Sequence, residues 1–288
     1  MSTVVAQRRD VDFTSSGANL RGWLYGVDRQ AAPGIVLAHG LSAVKEMFLD
    51  DFGAAFARAG FTVLVYDHFG FGASDGEPRQ SPAPRLQLQG YRDAITWLAG
   101  VPGVDPARIG IWGSSFSGGH VIVLCSEDLP IAAGVAQVPY LAEGAPELPT
   151  GLQATIAEAA DDPLATVPAT TGEVDGSGVM YLDGAHAWFT STAKHRAPSW
   201  RNELLVAGLL EGADHRPFDN LTRAKVPLLV LAAPEDQLTP PGPLIAMEPK
   251  PRNLEVVEIA GSHFDAYQEG FQASSGAALD FFRRHLGA

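Results

Sequence analysis

The stretch that decides the fold is IGIWGSSFSGGH, residues 109–120. An apolar run ending at Trp112 meets a cluster of glycine and serine residues, and a second apolar run starts at Val121. This pattern predicts a buried strand, a sharp turn and a helix, with Ser115 at the apex of the turn. A serine held at such an apex exposes its hydroxyl, which makes Ser115 a candidate nucleophile.

Small residues flank Ser115 on both sides, as a close approach of strand and helix requires. Gly113 lies two residues before it and Ser117 two residues after it, which is the G-x-S-x-G nucleophile-elbow pattern with serine in place of the last glycine. Serine is small enough for this position. The alternative interpretation is an ordinary Gly/Ser turn in which Ser114 or Ser115 caps the helix. The rest of the chain has to decide between the two.

Size and composition favour one large α/β domain, or a core domain that carries an insertion. The chain has 288 residues, of which 46% are hydrophobic. Its net charge of −13, with no basic patch to offset it, argues against nucleic acid as a partner. The sequence leaves the oligomeric state open and is compatible with a homo-oligomer.

The location that we expect is cytoplasmic. No apolar run approaches the roughly 20 residues of a membrane span, so we expect no membrane association. The first thirteen residues lack the apolar region of a signal peptide. The single cysteine, Cys125, excludes an internal disulfide and lies in an apolar run, which predicts a small core residue.

Apolar strands and amphipathic helices alternate along much of the chain. Strands that are apolar on both faces are typical of a mostly parallel sheet covered by helices on each side, so the predicted fold class is α/β. The predicted strands are residues 4–13, 20–27, 34–38, 61–66, 108–112, 131–138, 226–232 and 254–259, and the predicted helices are residues 46–59, 86–99 and about 264–286.

The alternation stops between residues 139 and 225, where no clear strand is visible. This predicts an α/β core domain formed by residues 1–138 and 226–288, with an inserted cap (lid) region at 139–225. The alternative is a long disordered loop, which the scattered aromatic residues and a helical run at 204–210 disfavour. A cap covers an active site and shapes what can enter it. The candidate substrate-binding residues in it are Tyr181, Trp188, Phe189 and Trp200, which alternatively form the cap's own small core.

A nucleophilic serine needs a base, and the base needs an orienting carboxylate. Asp236 follows the strand predicted at 226–232, and His263 follows the strand predicted at 254–259 with a glycine shortly before it. We therefore predict a catalytic set of Ser115, His263 and Asp236. Glu235 and Glu143 remain alternative positions for the acid.

The attack on a carbonyl carbon creates an oxyanion that backbone N–H groups must stabilise. The residue after the nucleophile, Phe116, supplies one N–H group. The loop after the strand at 34–38 supplies the other, which predicts Leu41, and Gly40 lets the chain turn close to the substrate. No metal-ligand spacing and no dinucleotide fingerprint is present, so we expect no metal and no cofactor.

Together these motifs resemble the α/β-hydrolase superfamily over nearly the whole chain, from about residue 20 to residue 285. The motifs are His39-Gly40, Asp67 with Gly70, Gly72 and Ser74, the turn at Ser115, Asp236, and His263. Phe69 departs from the family pattern, which often has arginine there. The resemblance extends to a bacterial subgroup described as esterase-like, dienelactone-hydrolase-like or peptidase-like.

The resemblance implies an α/β-hydrolase fold and a carboxylesterase-like serine hydrolase. Its expected reaction is cleavage of a small to medium carboxylic ester or lactone through an acyl-enzyme on Ser115. The alternatives that use the same triad are an acyltransferase, a thioesterase or a C–C bond hydrolase. A non-catalytic ligand-binding protein of the same fold is disfavoured, because a receptor has no need of all three groups.

Overall fold

The computed structural model describes residues 7–26, 30–172 and 176–287. The strands in these residues are β1 (Gln7–Ser15), β2 (Ala18–Gly26), β3 (Ala32–Ala38), β4 (Thr62–Tyr66), β5 (Val104–Ser114), β6 (Ala133–Gln137), β7 (Thr166–Val167), β8 (Leu204–Leu205), β9 (Leu228–Ala232) and β10 (Leu254–Glu258). The α-helices are α1 (Leu49–Arg58), α2 (Pro84–Ala99), α3 (Phe116–Cys125), α4 (Thr150–Glu158), α5 (Ala185–His195), α6 (Val206–Glu211), α7 (Gly242–Ile245) and α8 (Phe271–Leu286). No helix among the described residues has both the length and the apolar character needed to cross a membrane.

Eight strands form one sheet in the order β1-β2-β4-β3-β5-β6-β9-β10. In the part of this order that runs β4-β3-β5-β6-β9-β10, neighbouring strands are parallel. Strand β2 is antiparallel to both β1 and β4. The carboxyl ends of the parallel strands therefore lie at one edge of the sheet. In open α/β sheets that edge is where ligands bind.

The sheet separates two hydrophobic cores, because successive side chains of a strand point to opposite faces. Trp112 of β5 packs into the core that contains residues of α1 and α8. Its neighbour Ile111 packs into the core on the other face, with residues of α2 and α3. The predicted mostly parallel sheet with helices on both faces is confirmed.

Two predicted helices are longer than the observed ones. The helix predicted at 46–59 begins only at Leu49, because Phe48 has a left-handed backbone with φ 66°. The helix predicted to begin near 264 begins at Phe271, after a 3₁₀ turn at Asp265–Tyr267. The predicted strand ends at residues 4–6 and 27 lie outside the described residues.

The segment 139–225 contains α4, α5, α6 and a separate two-stranded sheet of β7 and β8. In its described parts, 139–172 and 176–225, no strand joins the main sheet. The expectation of a helical run from 204 is wrong at its start. Leu204 and Leu205 pair with β7, and the N–H of Leu205 also donates to the carbonyl of Gln80 at 2.8 Å. Four residues form this segment's own small core: Leu152, Ile156, Val167 and Val206.

Candidate active site

Ser115 lies between β5 and α3 in a strained backbone conformation, with φ 57° and ψ −121°. A residue with a side chain adopts a positive φ only where its surroundings enforce it. The N–H of Ser115 donates to the carbonyl of Gln137 on β6 at 2.9 Å. A Cβ atom at Gly113 would lie 2.3 Å from the carbonyl oxygen of Ser117, so only glycine fits there. The sequence pattern thus corresponds to a tight strand–turn–helix connection.

Ser117, the residue that departs from the G-x-S-x-G pattern, is fully buried and takes part in two hydrogen bonds. Its hydroxyl donates to the carbonyl of His39 at 2.5 Å and accepts from Nε2 of His68 at 2.9 Å. A glycine could make neither bond. The serine therefore ties the start of α3 to the end of β3.

His263 and Asp236 meet at the carboxyl edge of the sheet, after β10 and β9 respectively. Nδ1 of His263 lies 2.7 Å from Oδ2 of Asp236, and both residues are buried, with exposed fractions of 3% and 4%. Oδ1 of Asp236 accepts the N–H groups of Leu238 at 2.9 Å and Thr239 at 2.8 Å. Burial by itself raises the pKa of Asp236, but the adjacent His263 and these hydrogen bonds outweigh it and lower the pKa overall.

The structure brings neither alternative acid to His263. Glu235 is exposed to solvent. The half-exposed carboxylate of Glu143 forms an ion pair with Arg216 at 3.1 Å. Asp236 is therefore the carboxylate that contacts the histidine.

Thr239 is a site residue that the sequence analysis missed. Its hydroxyl oxygen lies 2.7 Å from Oδ2 of Asp236, 3.1 Å from Nδ1 of His263 and 3.0 Å from the carbonyl of Val138. Val138 itself has a φ of 37°, an outlier for a β-branched residue. The only sequence signal was a hydroxyl residue three positions after a loop aspartate, which is too common to single out.

The loop after β3, residues 39–48 (the β3 loop), packs directly against Ser115. A Cβ atom at Gly40 would lie 2.9 Å from Cβ and 3.4 Å from Oγ of Ser115. The N–H of His68 donates to Nε2 of His39 at 3.1 Å, so the His39 proton is on Nδ1, which donates to the carbonyl of Gly40 at 2.9 Å. Phe116 is the first residue of α3, so its N–H has no partner within the helix.

A buried ion pair connects the β3 loop to the turn after β4. Nζ of Lys45 lies 2.6 Å from Oδ2 of Asp67, and the N–H of Lys45 donates to Oδ1 at 2.7 Å. A Cβ atom at Gly72 would lie 2.4 Å from Oδ2 of Asp67, so the turn after β4 closes tightly on this carboxylate. Phe69 instead packs into the apolar core. The positive charge beside Asp67 is thus that of Lys45, and position 69 contributes only an apolar ring.

Ser115 lines a cavity of about 280 Å³ together with Leu41, Phe116 and Thr239. Most of its other lining residues belong to the segment 139–225, and Tyr181 is one of them. Among the described residues, no cluster of three or more His, Cys, Asp or Glu side chains is arranged to hold a metal ion.

Three of the four aromatic residues proposed to bind substrate are not in the cavity wall. Trp188 stacks on Phe264 with ring centres 4.6 Å apart, and Phe189 stacks on Trp200 at 5.4 Å. Nε1 of Trp200 donates to the hydroxyl of Ser42 at 3.2 Å. These rings instead pack the segment 139–225 against the loops of the main sheet. The contacts of Trp188, Phe189 and Trp200 therefore favour the alternative in which these rings pack the segment 139–225, whereas Tyr181 remains a candidate substrate-binding residue.

A sequence model of the alpha/beta hydrolase family matches residues 35–272. The chain belongs to this family. The quorum-quenching protein AidA of Acinetobacter baumannii (strain MDR-ZJ06) is 27% identical over 287 residues, which cover 96% of this chain and 94% of that protein. A thiohydrolase of Eupenicillium brefeldianum is 28% identical and covers 91% of this chain and 89% of that protein.

The solved structures include a similar fold over the full chain. The crystal structure of the alpha/beta hydrolase GrgF from Penicillium sp. sh18 matches with a TM-score of 0.83 and 25% identity, covering 98% of this chain and 100% of that chain. A polyketide transferase grgF of Penicillium sp. is 36% identical over 149 residues, about half of each chain.

Proposed function

We propose that this alpha/beta hydrolase is a serine hydrolase that cleaves a small to medium carboxylic ester or lactone through an acyl-enzyme on Ser115. One arrangement carries the proposal: the strained Ser115 lines the same cavity as Thr239, and Thr239 contacts the His263–Asp236 pair. Nucleophilic catalysis needs a histidine oriented by a carboxylate beside a serine hydroxyl. The buried His263–Asp236 pair and the half-buried Ser115, which Thr239 connects through the cavity wall, fit this requirement.

In the first half of the reaction, Oγ of Ser115 forms a bond to the carbonyl carbon while its proton passes to Nε2 of His263. The C–O bond to the alcohol breaks and the alcohol leaves with that proton. Water then repeats the sequence on the acyl-enzyme, giving the acid and restoring Ser115. Asp236 accepts a hydrogen bond from Nδ1–H throughout and stabilises the imidazolium that forms.

Two backbone N–H groups, of Leu41 and Phe116, are assigned to the oxyanion. Both residues line the cavity beside Ser115, and the N-terminus of α3 adds a favourable dipole. We assign the segment 139–225 as a cap, since it contributes most of the cavity wall opposite the nucleophile.

Thioester hydrolysis or acyl transfer to an acceptor other than water is the second candidate. Relatives named thiohydrolase and polyketide transferase favour it. The acyl-enzyme is common to both candidates, so they differ only in the group that leaves and the group that accepts the acyl chain. Turnover of matched oxygen and sulfur esters, with and without an added alcohol, separates them.

A fluorophosphonate probe tests the proposal, because it forms a stable adduct with an activated serine. We expect a single adduct on the peptide that contains Ser115, and none in the Ser115→Ala variant. Ser114→Ala is the matched control: that neighbouring hydroxyl is buried and hydrogen bonded to Tyr267, so the variant should still be labelled. A folded wild-type protein that binds esters and takes up no probe would contradict the proposal.

A further inference from the structure

We infer that the cavity at Ser115 selects an uncharged, mainly apolar acyl group of about nine non-hydrogen atoms. This inference rests on the proposed function and adds the substrate class to it. Three observations carry it: the chemistry of the cavity wall, the contacts of two carboxylates near the wall in sequence, and the volume of the cavity.

The cavity wall carries no ionised side chain among the described residues that line it. Apart from Ser115 and Thr239, its polar side-chain groups are the phenols of Tyr140 and Tyr181. Burial raises the pKa of Tyr140, so this phenol stays neutral at physiological pH. The remaining wall is formed by aliphatic and aromatic side chains, prolines and glycines, including Leu148, Val179 and Leu209.

Two carboxylates near the wall in sequence, those of Asp183 and Glu211, are bound to other groups. The carboxylate of Asp183 accepts the N–H of Gln237 at 2.7 Å. The carboxylate of Glu211 accepts the N–H of Arg85 at 2.9 Å. These carboxylates are next to or near wall residues in sequence, yet neither lines the cavity. A charged substrate group in the cavity would therefore lose water and gain no counter-ion.

The loss of hydration without a counter-ion should make the protein discriminate strongly between neutral and charged substrates. An ionised group that leaves water for a site without a partner loses its hydration and gains no attraction in return. We therefore expect a preference of at least about 100-fold for a neutral acyl chain over an equally long charged one. The negative net charge of −13 adds long-range repulsion of anionic substrates.

The volume sets the length of the acyl group. A water-sized group takes about 30 Å³, so a cavity of about 280 Å³ holds about nine such groups. This matches an acyl chain of about eight carbons with its carbonyl oxygen. Shorter chains leave part of the apolar wall unfilled, whereas longer ones have to remain outside the cavity.

The test uses p-nitrophenyl esters of one length and three terminal groups: hexanoate, its analogue with a terminal carboxylate, and its analogue with a terminal trimethylammonium. We expect kcat/KM for the neutral ester to exceed that of each charged ester at least about 100-fold. In a neutral series, kcat/KM should rise up to about octanoate and fall at dodecanoate. Charged and neutral esters within threefold of each other, with Ser115 still labelled by the probe, would overturn the substrate class alone. Absence of both turnover and labelling would overturn the proposed function as well.

A charge placed in the wall provides a second test. Leu148→Lys should lower the ratio of kcat/KM for the neutral ester to kcat/KM for the anionic ester at least about tenfold. The cationic ester should remain a poor substrate. Leu148→Met is the matched control, since it keeps the wall apolar at a similar volume and should retain the wild-type ratios. Wild-type ratios in the lysine variant would contradict the assignment of this wall to the acyl group.

Discussion

At the scale of single residues, Thr239 is the group whose removal is most informative. Its hydroxyl contacts Asp236, His263 and the carbonyl of Val138 at once, within 3.1 Å. Thr239→Val keeps the shape and removes this hydroxyl. Because a hydrogen bond to a charged group contributes about 1.5–3 kcal/mol, we expect kcat to fall about 10- to 100-fold. KM should stay within twofold, because valine fills nearly the same space as threonine in the cavity wall.

Thr239→Ser separates positioning from packing, because serine restores the hydroxyl and loses only a methyl group. This variant should recover most of kcat in steady-state assays with a neutral ester. Equal loss of kcat in the serine and valine variants would assign the effect to packing. An unchanged kcat in the valine variant would exclude a positioning role for Thr239.

The residues that the sequence could predict are those fixed by position along the chain. Ser115, Asp236 and His263 each follow a strand of one parallel sheet, so the strand ends alone place them at one edge. Thr239 and Lys45 could not be found this way, because their roles depend on side chains that approach from distant elements. The same limit explains Trp188: an aromatic residue in a candidate cap fits a cavity wall and a packed cluster equally well until its neighbours are known.

At the scale of elements, the position of the β3 loop depends on the Lys45–Asp67 pair. Both side chains are at most 5% exposed, so each is an ion taken out of water. Lys45→Met would leave the carboxylate of Asp67 buried without its partner. We expect the free energy of unfolding to fall by about 3–5 kcal/mol, measured by urea denaturation.

Two controls keep this prediction specific. Lys194→Met removes an exposed lysine on α5 and should change stability by less than about 0.5 kcal/mol. The double variant Lys45→Met/Asp67→Asn removes both charges and should recover part of the loss. A single variant as stable as the wild type would show that the pair does not hold the loop.

The elements of the main sheet could be predicted because their apolar patterns are long and regular. The segment 139–225 could not, because its strands have two residues each and its helices α4 and α5 are only weakly amphipathic. Such elements are set by contacts rather than by periodicity: Leu204 and Leu205 form a strand because β7 and Gln80 supply their partners. Tertiary packing overrides local preference in this part of the chain.

At the scale of the whole molecule, four buried histidines form a row of neighbouring rings next to the candidate active site. Their rings are 4.6 Å apart for His39 and His68, 6.1 Å for His68 and His120, and 4.8 Å for His120 and His215. Burial lowers the pKa of all four, and lowers that of His215 to about 4. The folded protein therefore holds four neutral imidazoles that would gain a proton if the chain unfolded in mild acid.

This difference predicts a loss of stability that begins well above the pH range of the carboxylates. An unfolded histidine binds a proton near pH 6.5, whereas the folded ones do so only at lower pH. Between these values the unfolded state holds more protons, so the free energy of unfolding falls as pH falls. His215 alone accounts for up to about 3 kcal/mol between pH 6.5 and pH 4.

Urea denaturation at pH 8.0, 6.5, 5.5 and 4.5 measures this loss. We expect little change from pH 8.0 to 6.5 and a steepening decline below it. Asp236, whose pKa is lowered, stays ionised in the folded and the unfolded state through most of this pH range. It therefore contributes to the loss of stability only near the lower end of the range. His215→Gln should reduce the slope of the free energy of unfolding against pH by up to about 1.4 kcal/mol per pH unit, which corresponds to one proton. His195→Gln, at an exposed position on α5, should leave the slope as in the wild type. A stability that is constant from pH 8.0 to 4.5 would mean that the buried histidines bind protons in the folded protein at the same pH as in the unfolded chain.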